Sequence, residues 1–391
     1  MFYIIKFYIL AKIYYKLASI YIHIPYCKQR CVYCDFHFSI IQKDKLEMLK
    51  CIKIEIANRK DYLNNELIDT LYFGGGTPSI LEKSEITGIL KHLHNTFNIS
   101  INAEITIECN PDDLTLDKLK ALKQIGINRL SIGVQSFKDK DLEFMKRSHN
   151  ANEAINSIKL AQNIGFNNIT IDLIYGLPDQ SIADWEQNIE QAFDLDIQHL
   201  SAYALTVENK TILSQMVKKN KIKILSDTKV IKQFNILQNK AEEKGFIHYE
   251  ISNFGKKGFF SKHNSGYWKS IHYLGIGPSA HSYNGYIRSS NISSNKKYIR
   301  NINLGLDYFE DEFLSESEQY NEYIYTSLRT IWGIDIDTIA KKYSEGILSH
   351  FQDEISKWEN KKFITSDKKK YTLTRSGKSF ADMIASDLFI V

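Results

Sequence analysis

Between residues 19 and 205 the chain alternates short apolar runs with stretches of helical periodicity. The apolar runs Ser19–Ile24, Asp69–Phe73, Ala103–Cys109, Arg129–Val134, Asn168–Ile174 and Gln198–Tyr203 are predicted strands. Helical patterns fall between them, near residues 43–60, 82–96, 115–124, 151–163 and 181–193. Such alternation predicts an α/β fold, a parallel sheet with helices on its outer face. Six units predict a curved sheet or partial (β/α)6 barrel, since a closed eight-unit barrel needs more of the same pattern.

Inside the strands the period is two. Ile105 and Ile107 alternate with Thr106 and Glu108, Ile132 and Val134 with Ser131, Gly133 and Gln135, and Ile169 and Ile171 with Thr170 and Asp172. Successive side chains of a strand face opposite ways. One face is therefore apolar, under the helices, and the other polar, with Glu108, Gln135 and Asp172 near the C-terminal strand ends. In α/β architectures ligands bind at that edge.

Beyond residue 205 the alternation fades. Asp227–Lys244 reads as one helix stopped by Gly245, and residues 246–290 read as loops rich in Gly, His and aromatics. Glu316–Ile331, Ile336–Tyr343 and Glu345–Trp358 are helical, followed by a hairpin of Phe363–Thr365 and Tyr371–Leu373 and a helix from Thr374. This order predicts a smaller, mainly helical, winged-helix-like domain that serves packing. The expected divisions are an extension at 1–18, a core at 19–290 and a C-terminal domain at 300–391. In Met1–Leu17, lysines 6, 12 and 16 leave uncharged runs too short for a membrane span of ~20 residues or a signal core of ~7–15. An irregular extension, or translation from an upstream start codon, is expected there.

Charge narrows the partners. Lys and Arg number 50 against 46 acidic residues, a net charge of +4, and only eight of the 50 are Arg. Arg is the side chain suited to planar recognition of phosphates and bases, so no nucleic-acid partner is expected. Of five cysteines, Cys27, Cys31 and Cys34 fall within eight residues, while Cys51 and Cys109 stand apart as small buried hydrophobes. An odd total with one tight cluster is no secreted disulfide framework. It reads as a metal site in a reducing, cytoplasmic setting.

The cluster follows the first predicted strand, in Tyr21-Ile-His-Ile-Pro-Tyr-Cys27-Lys-Gln-Arg-Cys31-Val-Tyr-Cys34-Asp-Phe36. Three thiolates can hold three irons of a [4Fe–4S] cubane and leave the fourth open to an external ligand. A closed zinc site of Cys27, Cys31, Cys34 and His37 is the alternative.

The C-x3-C-x2-C spacing in this context resembles the radical S-adenosylmethionine (SAM) superfamily. The context is similar to the branch that holds oxygen-independent coproporphyrinogen III oxidases and their related heme chaperones. Supporting segments are Tyr72-Phe-Gly-Gly-Gly-Thr-Pro78, Glu108-Cys-Asn-Pro111, Gly133-Val-Gln-Ser-Phe137, Asp172-Leu-Ile-Tyr-Gly-Leu-Pro178, Glu250-Ile-Ser-Asn-Phe254, His263-Asn-Ser-Gly-Tyr-Trp268 and Tyr273-Leu-Gly-Ile-Gly277. The resemblance implies that Cys27, Cys31 and Cys34 hold the cluster and that SAM chelates its open iron. Gly74, Gly75, Gly76 and Thr77 would approach the methionine end, with Tyr21, Tyr33, Glu108, Gln135, Arg147, Asp172 and Ala204 lining the rest. It also implies heme binding at His263, Tyr267 and Trp268, the imidazole as axial ligand and the rings as flat apolar surface; His272 and His281 lie close by as other ligand candidates. The oxidases of this branch carry a further cysteine two positions after the third. Phe36 stands there instead, as in the chaperones. The resemblance thus implies a heme chaperone that delivers heme to an acceptor protein in the cytoplasm or at the membrane periphery. The alternative is a coproporphyrinogen III oxidase.

Overall fold

The computed structural model describes residues 16–391. The extension expected at the N-terminus lies almost wholly outside the described residues; Leu17 and Ala18 already belong to the first strand.

Twelve strands form one sheet: β1 (Leu17–Ile24), β2 (Leu67–Gly75), β3 (Ile99–Cys109), β4 (Arg129–Gln135), β5 (Ile169–Tyr175), β6 (His199–Ala204), β7 (Ile247–Glu250), β8 (Asn253–Gly255), β9 (His272–Ile276), β10 (His281–Tyr283), β11 (Ile287–Asn291) and β12 (Phe309–Phe313). Their spatial order is β12-β11-β10-β9-β1-β2-β3-β4-β5-β6-β8-β7. β1 to β6 run parallel in sequence order, as expected for six β/α units of an open barrel. β9 adds a seventh parallel strand beside β1, pairing Ala18 with His272. The segment expected to be loops therefore supplies strands. They are three to five residues long and carry Gly and His, too short for a periodicity to show.

The outer face of the parallel strands buries Ile105, Ile107, Leu130, Ile132, Ile169, Ile171 and Leu200 under the helices, in one continuous core. The helix Ile182–Asp194 shows how the sequence sets this up. Ser181 and Asp184 close a capping box at its start. Trp185, Ile189, Ala192 and Phe193 then form its buried stripe. The indole of Trp185 is fully buried and donates its N–H to the Gln233 carbonyl at 2.9 Å. The opposite, concave face carries Tyr72, Glu108, Arg129, Ser131, Thr170, Asp172 and Ser201. The barrel interior is polar, and its lower part is closed by the helix Lys262–Trp268, which lies against β1, β2 and β9.

A second core holds Tyr320, Ile324, Phe351, Ile355, Trp358 and Ile384. Its helices Glu316–Leu328, Ile336–Lys342 and Glu345–Asn360 precede the hairpin Ile364–Asp367 and Lys370–Leu373, to which Ile334–Asp335 adds a third strand. The sequence expectation set the break between the two units at 290–300. Tyr298, Ile302 and Tyr308 instead pack in the first core, and β12 pairs with β11. The change of core falls after Phe313.

Candidate cofactor site

A cavity of about 540 Å³ opens at the C-terminal ends of β2 to β6. One wall is the cysteine loop, which hangs from the end of β1. The Cys27 amide donates to the Ser39 carbonyl at 3.0 Å, that of Ser39 to the Pro25 carbonyl at 2.9 Å, and that of Val32 to the Met145 carbonyl at 3.2 Å. His23 adds a side-chain tie: its Nε2–H donates to the His37 carbonyl at 2.9 Å, so its Nδ1 accepts from the Tyr21 hydroxyl at 3.2 Å. Burial lowers the His23 imidazolium to about 4, keeping it in this neutral form.

Cys27, Cys31 and Cys34 are half-buried free thiols that line the cavity together. The Thr77 hydroxyl donates to Cys27 Sγ at 3.4 Å, and Arg147 Nη1 donates to Cys31 Sγ at 3.3 Å. Burial pushes the thiols of Cys27 and Cys34 up to about 12 and about 11. Thiols so buried ionise readily only beside further positive charge, as a bound iron cluster supplies. Arg147 also donates Nη2 to Asn110 Oδ1 at 2.7 Å and to the Gly133 carbonyl at 2.9 Å; its buried Nε has no partner among the described residues. The backbone of Gly75–Gly76 forms a cradle. Gly75 has φ +104°, and a Cβ on Gly76 would meet the Tyr26 carbonyl at 2.5 Å. Thiol donors, an unpaired guanidinium N–H and an open backbone cradle fit an iron–sulfur cluster with a charged amino-acid ligand.

The three rim residues converge as the strand alternation predicts. Glu108 accepts from the Tyr72 hydroxyl at 2.9 Å and from the Gly75 amide at 3.2 Å. Burial raises it to about 7 and Asp172 to about 6. Gln135 ends β4 at φ +67°, a left-handed conformation that costs a non-glycine residue energy and aims its side chain back over Gly133. Tyr33, Thr77 and Ala204 line the same cavity.

Glu108 yields a pH-dependent expectation. Its acid is protonated more easily folded than unfolded, so the cofactor-free protein loses stability as pH rises from about 4.5 to about 7. Glu108→Gln removes that penalty while losing the bond from Gly75. The variant should be about 1–2 kcal/mol more stable than the parent in urea unfolding at pH 8, and no more stable at pH 5. An equal effect at both pH values would refute the assignment.

Five expected site residues lie outside the cavity lining. Tyr21 and Gly74 form the layer beneath it: a Cβ on Gly74 would sit 2.8 Å from the Tyr21 ring and 3.0 Å from Glu108 Oε1. His263, expected as an axial heme ligand, lies outside the cavity as well. It is 1% exposed, its Nδ1 is 2.7 Å from the Thr70 hydroxyl and its Nε2 2.9 Å from the Tyr267 hydroxyl, and its ring stacks on Tyr72 at 4.8 Å. Both nitrogens are engaged and the ring is enclosed in this structure. Tyr267 and Trp268 line a separate cavity of about 240 Å³. His272 lies against Glu66 and Lys16, and His281 is exposed on β10. His37, the fourth ligand of the zinc alternative, has its Nε2 2.7 Å from Asn295 Oδ1.

The sequence reading missed Arg129. Its side chain is fully buried on the cavity floor and donates to the Thr170 hydroxyl, with Glu104 Oε2 4.0 Å from its Nε. The parity that selects Ser131 and Gly133 also selects Arg129, two positions earlier, and an arginine at a strand start was the available signal.

Residues 21–192 match the family model of the radical SAM superfamily, and residues 314–380 that of the HemN C-terminal domain. The chain is 35% identical over 365 residues to the heme chaperone HemW of Bacillus subtilis, covering 93% of this chain and 96% of that one. It is 30% identical to the heme chaperone HemW of Lactococcus lactis, covering 93% and 94%. Among solved structures, coproporphyrinogen III oxidase (HemN) from Escherichia coli, a radical SAM enzyme, superposes with a TM-score of 0.81 at 23% identity, over 96% of this chain and 90% of that one. That likeness concerns the fold.

Proposed function

The chain belongs to the radical SAM superfamily, in the family of the heme chaperone HemW, and from that premise we propose that it binds heme and hands it to an acceptor protein. Membership of the superfamily implies a [4Fe–4S] cluster and SAM. Cys27, Cys31 and Cys34 are the cluster ligands in this reading. The bound cluster supplies an open iron position and an electron. Arg147 holds positive charge against Cys31 and steadies the loop through Asn110 and the Gly133 carbonyl. Gly75 and Gly76 give SAM access to backbone, and Glu108, fixed by Tyr72 and Gly75, offers a carboxylate to its amino group. Phe36 and Phe38 add apolar surface to the loop wall.

The observation that carries the chaperone reading is identity with HemW across nearly the whole of both chains. Phe36 supports it: the ring is 74% exposed on the cavity rim, where the oxidase pattern has a thiol. A phenyl ring can neither ligate nor relay a proton or electron. The acceptor is reached in the cytoplasm or at the membrane surface. No helix among the described residues is long and apolar enough to cross a membrane.

One sample tests the reading. Protein reconstituted anaerobically with iron, sulfide and SAM should bind heme in a spectroscopic titration and form no protoporphyrinogen from coproporphyrinogen III. Multiple turnovers that disappear in Cys27→Ala would replace the chaperone by the oxidase.

A further inference from the structure

Beside the main cavity, and sharing Tyr203 and Asn264 with it, lies the second cavity of about 240 Å³. Its walls come from the end of β7 (Glu250) and the start of β8 (Asn253), from the helix that closes the barrel (Tyr267, Trp268), and from Arg329 at the end of the first helix of the C-terminal unit. It therefore sits where the two cores meet.

Its polar atoms are incompletely matched. Trp268 Nε1 and Asn253 Oδ1 are both buried without a hydrogen-bond partner among the described residues. A buried polar group left unpaired costs about 1–3 kcal/mol, and two around one cavity mark a place built for a polar ligand group. Asn253 uses its Nδ2 on Glu250, which is 2% exposed, so its carbonyl oxygen is the atom left over. Arg329 is held in place by Asp382 and by the Tyr325 ring, 4.6 Å from its guanidinium carbon. The cavity thus offers an indole N–H, an amide oxygen and a guanidinium, flanked by the Tyr203 and Tyr267 rings, beside the Glu250 carboxyl, which burial pushes toward its neutral form.

A carboxyl group at the end of a flat aromatic body matches this set. Its oxygen accepts from the indole, its proton, when present, goes to Asn253 Oδ1, and its ionised form meets Arg329. We propose that this cavity is the carboxylate subsite for the acidic tail of a tetrapyrrole, whose ring lies toward Tyr203 and Tyr267. The proposal rests on the heme reading above and adds to it the residues that hold a propionate. It also gives the Tyr-Trp pair a role that needs no iron ligation by His263.

Iron-free porphyrins separate the subsite from axial ligation. The full chain is titrated with protoporphyrin IX and with its dimethyl ester, followed by porphyrin fluorescence, in the parent and in Trp268→Phe. The parent should bind the free acid more tightly than the diester. Trp268→Phe keeps the ring and loses the N–H, so it should weaken the free acid about tenfold, the loss of one hydrogen bond to a charged group, and leave the diester unchanged. Equal affinity of the parent for acid and diester overturns the subsite without any variant. So does a Trp268→Phe protein, folded by circular dichroism, that binds both porphyrins as the parent does. In either case heme binding itself stands. A parent that binds neither porphyrin nor heme removes the heme reading and this proposal with it.

Discussion

A Cys31→Ala variant reconstituted anaerobically should hold almost no iron, against about four atoms per chain in the parent. Three thiols line the cavity mouth, and two ligands do not retain a cubane whose fourth iron must stay open to SAM. The two other cysteines, Cys51 and Cys109, are buried in the core and are not part of the cysteine loop. The fold should survive, because Cys31 is half-buried in a loop and its sulfur has only Arg147 as a described partner. Iron analysis and circular dichroism on one preparation check both halves. A variant with normal iron content and the parent's EPR signal would remove Cys31 from the ligand set.

The second large effect is structural. His263→Ala deletes a fully enclosed ring, leaves the Thr70 and Tyr267 hydroxyls without their partner, and removes the surface on which Tyr72 stacks. Burial lowers His263 to about 3, so the neutral ring is what the core holds at physiological pH. Cavity and lost hydrogen bonds together should cost about 3 kcal/mol. Tyr72 then loses its backing and, with it, Glu108 its donor. The expected result is a Tm lowered by roughly 5 °C or more and weaker SAM binding. A variant with an unchanged Tm and a shifted Soret band would instead mark the imidazole as a heme ligand.

Periodicity made the parallel half of the fold and its rim legible. Glu108, Gln135 and Asp172 could be assigned to one edge because long strands repeat the in–out pattern several times. The same logic fails for β7 to β11, where each strand is three to five residues and neighbours are chosen by contacts with distant chain. It is also silent on the surroundings of His263. A histidine with two aromatics in a glycine-rich stretch looks the same whether the ring faces a ligand or Thr70, and only packing distinguishes them. Periodicity is silent for a related reason on the helix Asn295–Leu304, which buries Tyr298, whose hydroxyl donates to Glu55 in the first core. Cys51 and Cys109 are buried as expected, Cys109 beside the cavity.

The plug that closes the barrel arrives late. Thr70 and His263 are 193 positions apart, and β9 must return to β1 before the interior is sealed. During synthesis the cysteine loop leaves the ribosome first. At ~5–20 residues per second, the closing helix follows on the order of tens of seconds later. Through that interval the nascent chain has an open polar trough and three uncovered thiols. A cluster carrier that acts on the nascent chain meets an unroofed site. One that acts on the released protein meets a site already roofed. Pairing of such distant strands is also the slow step of folding, so oxidant exposure and cluster loading compete during the same window of translation.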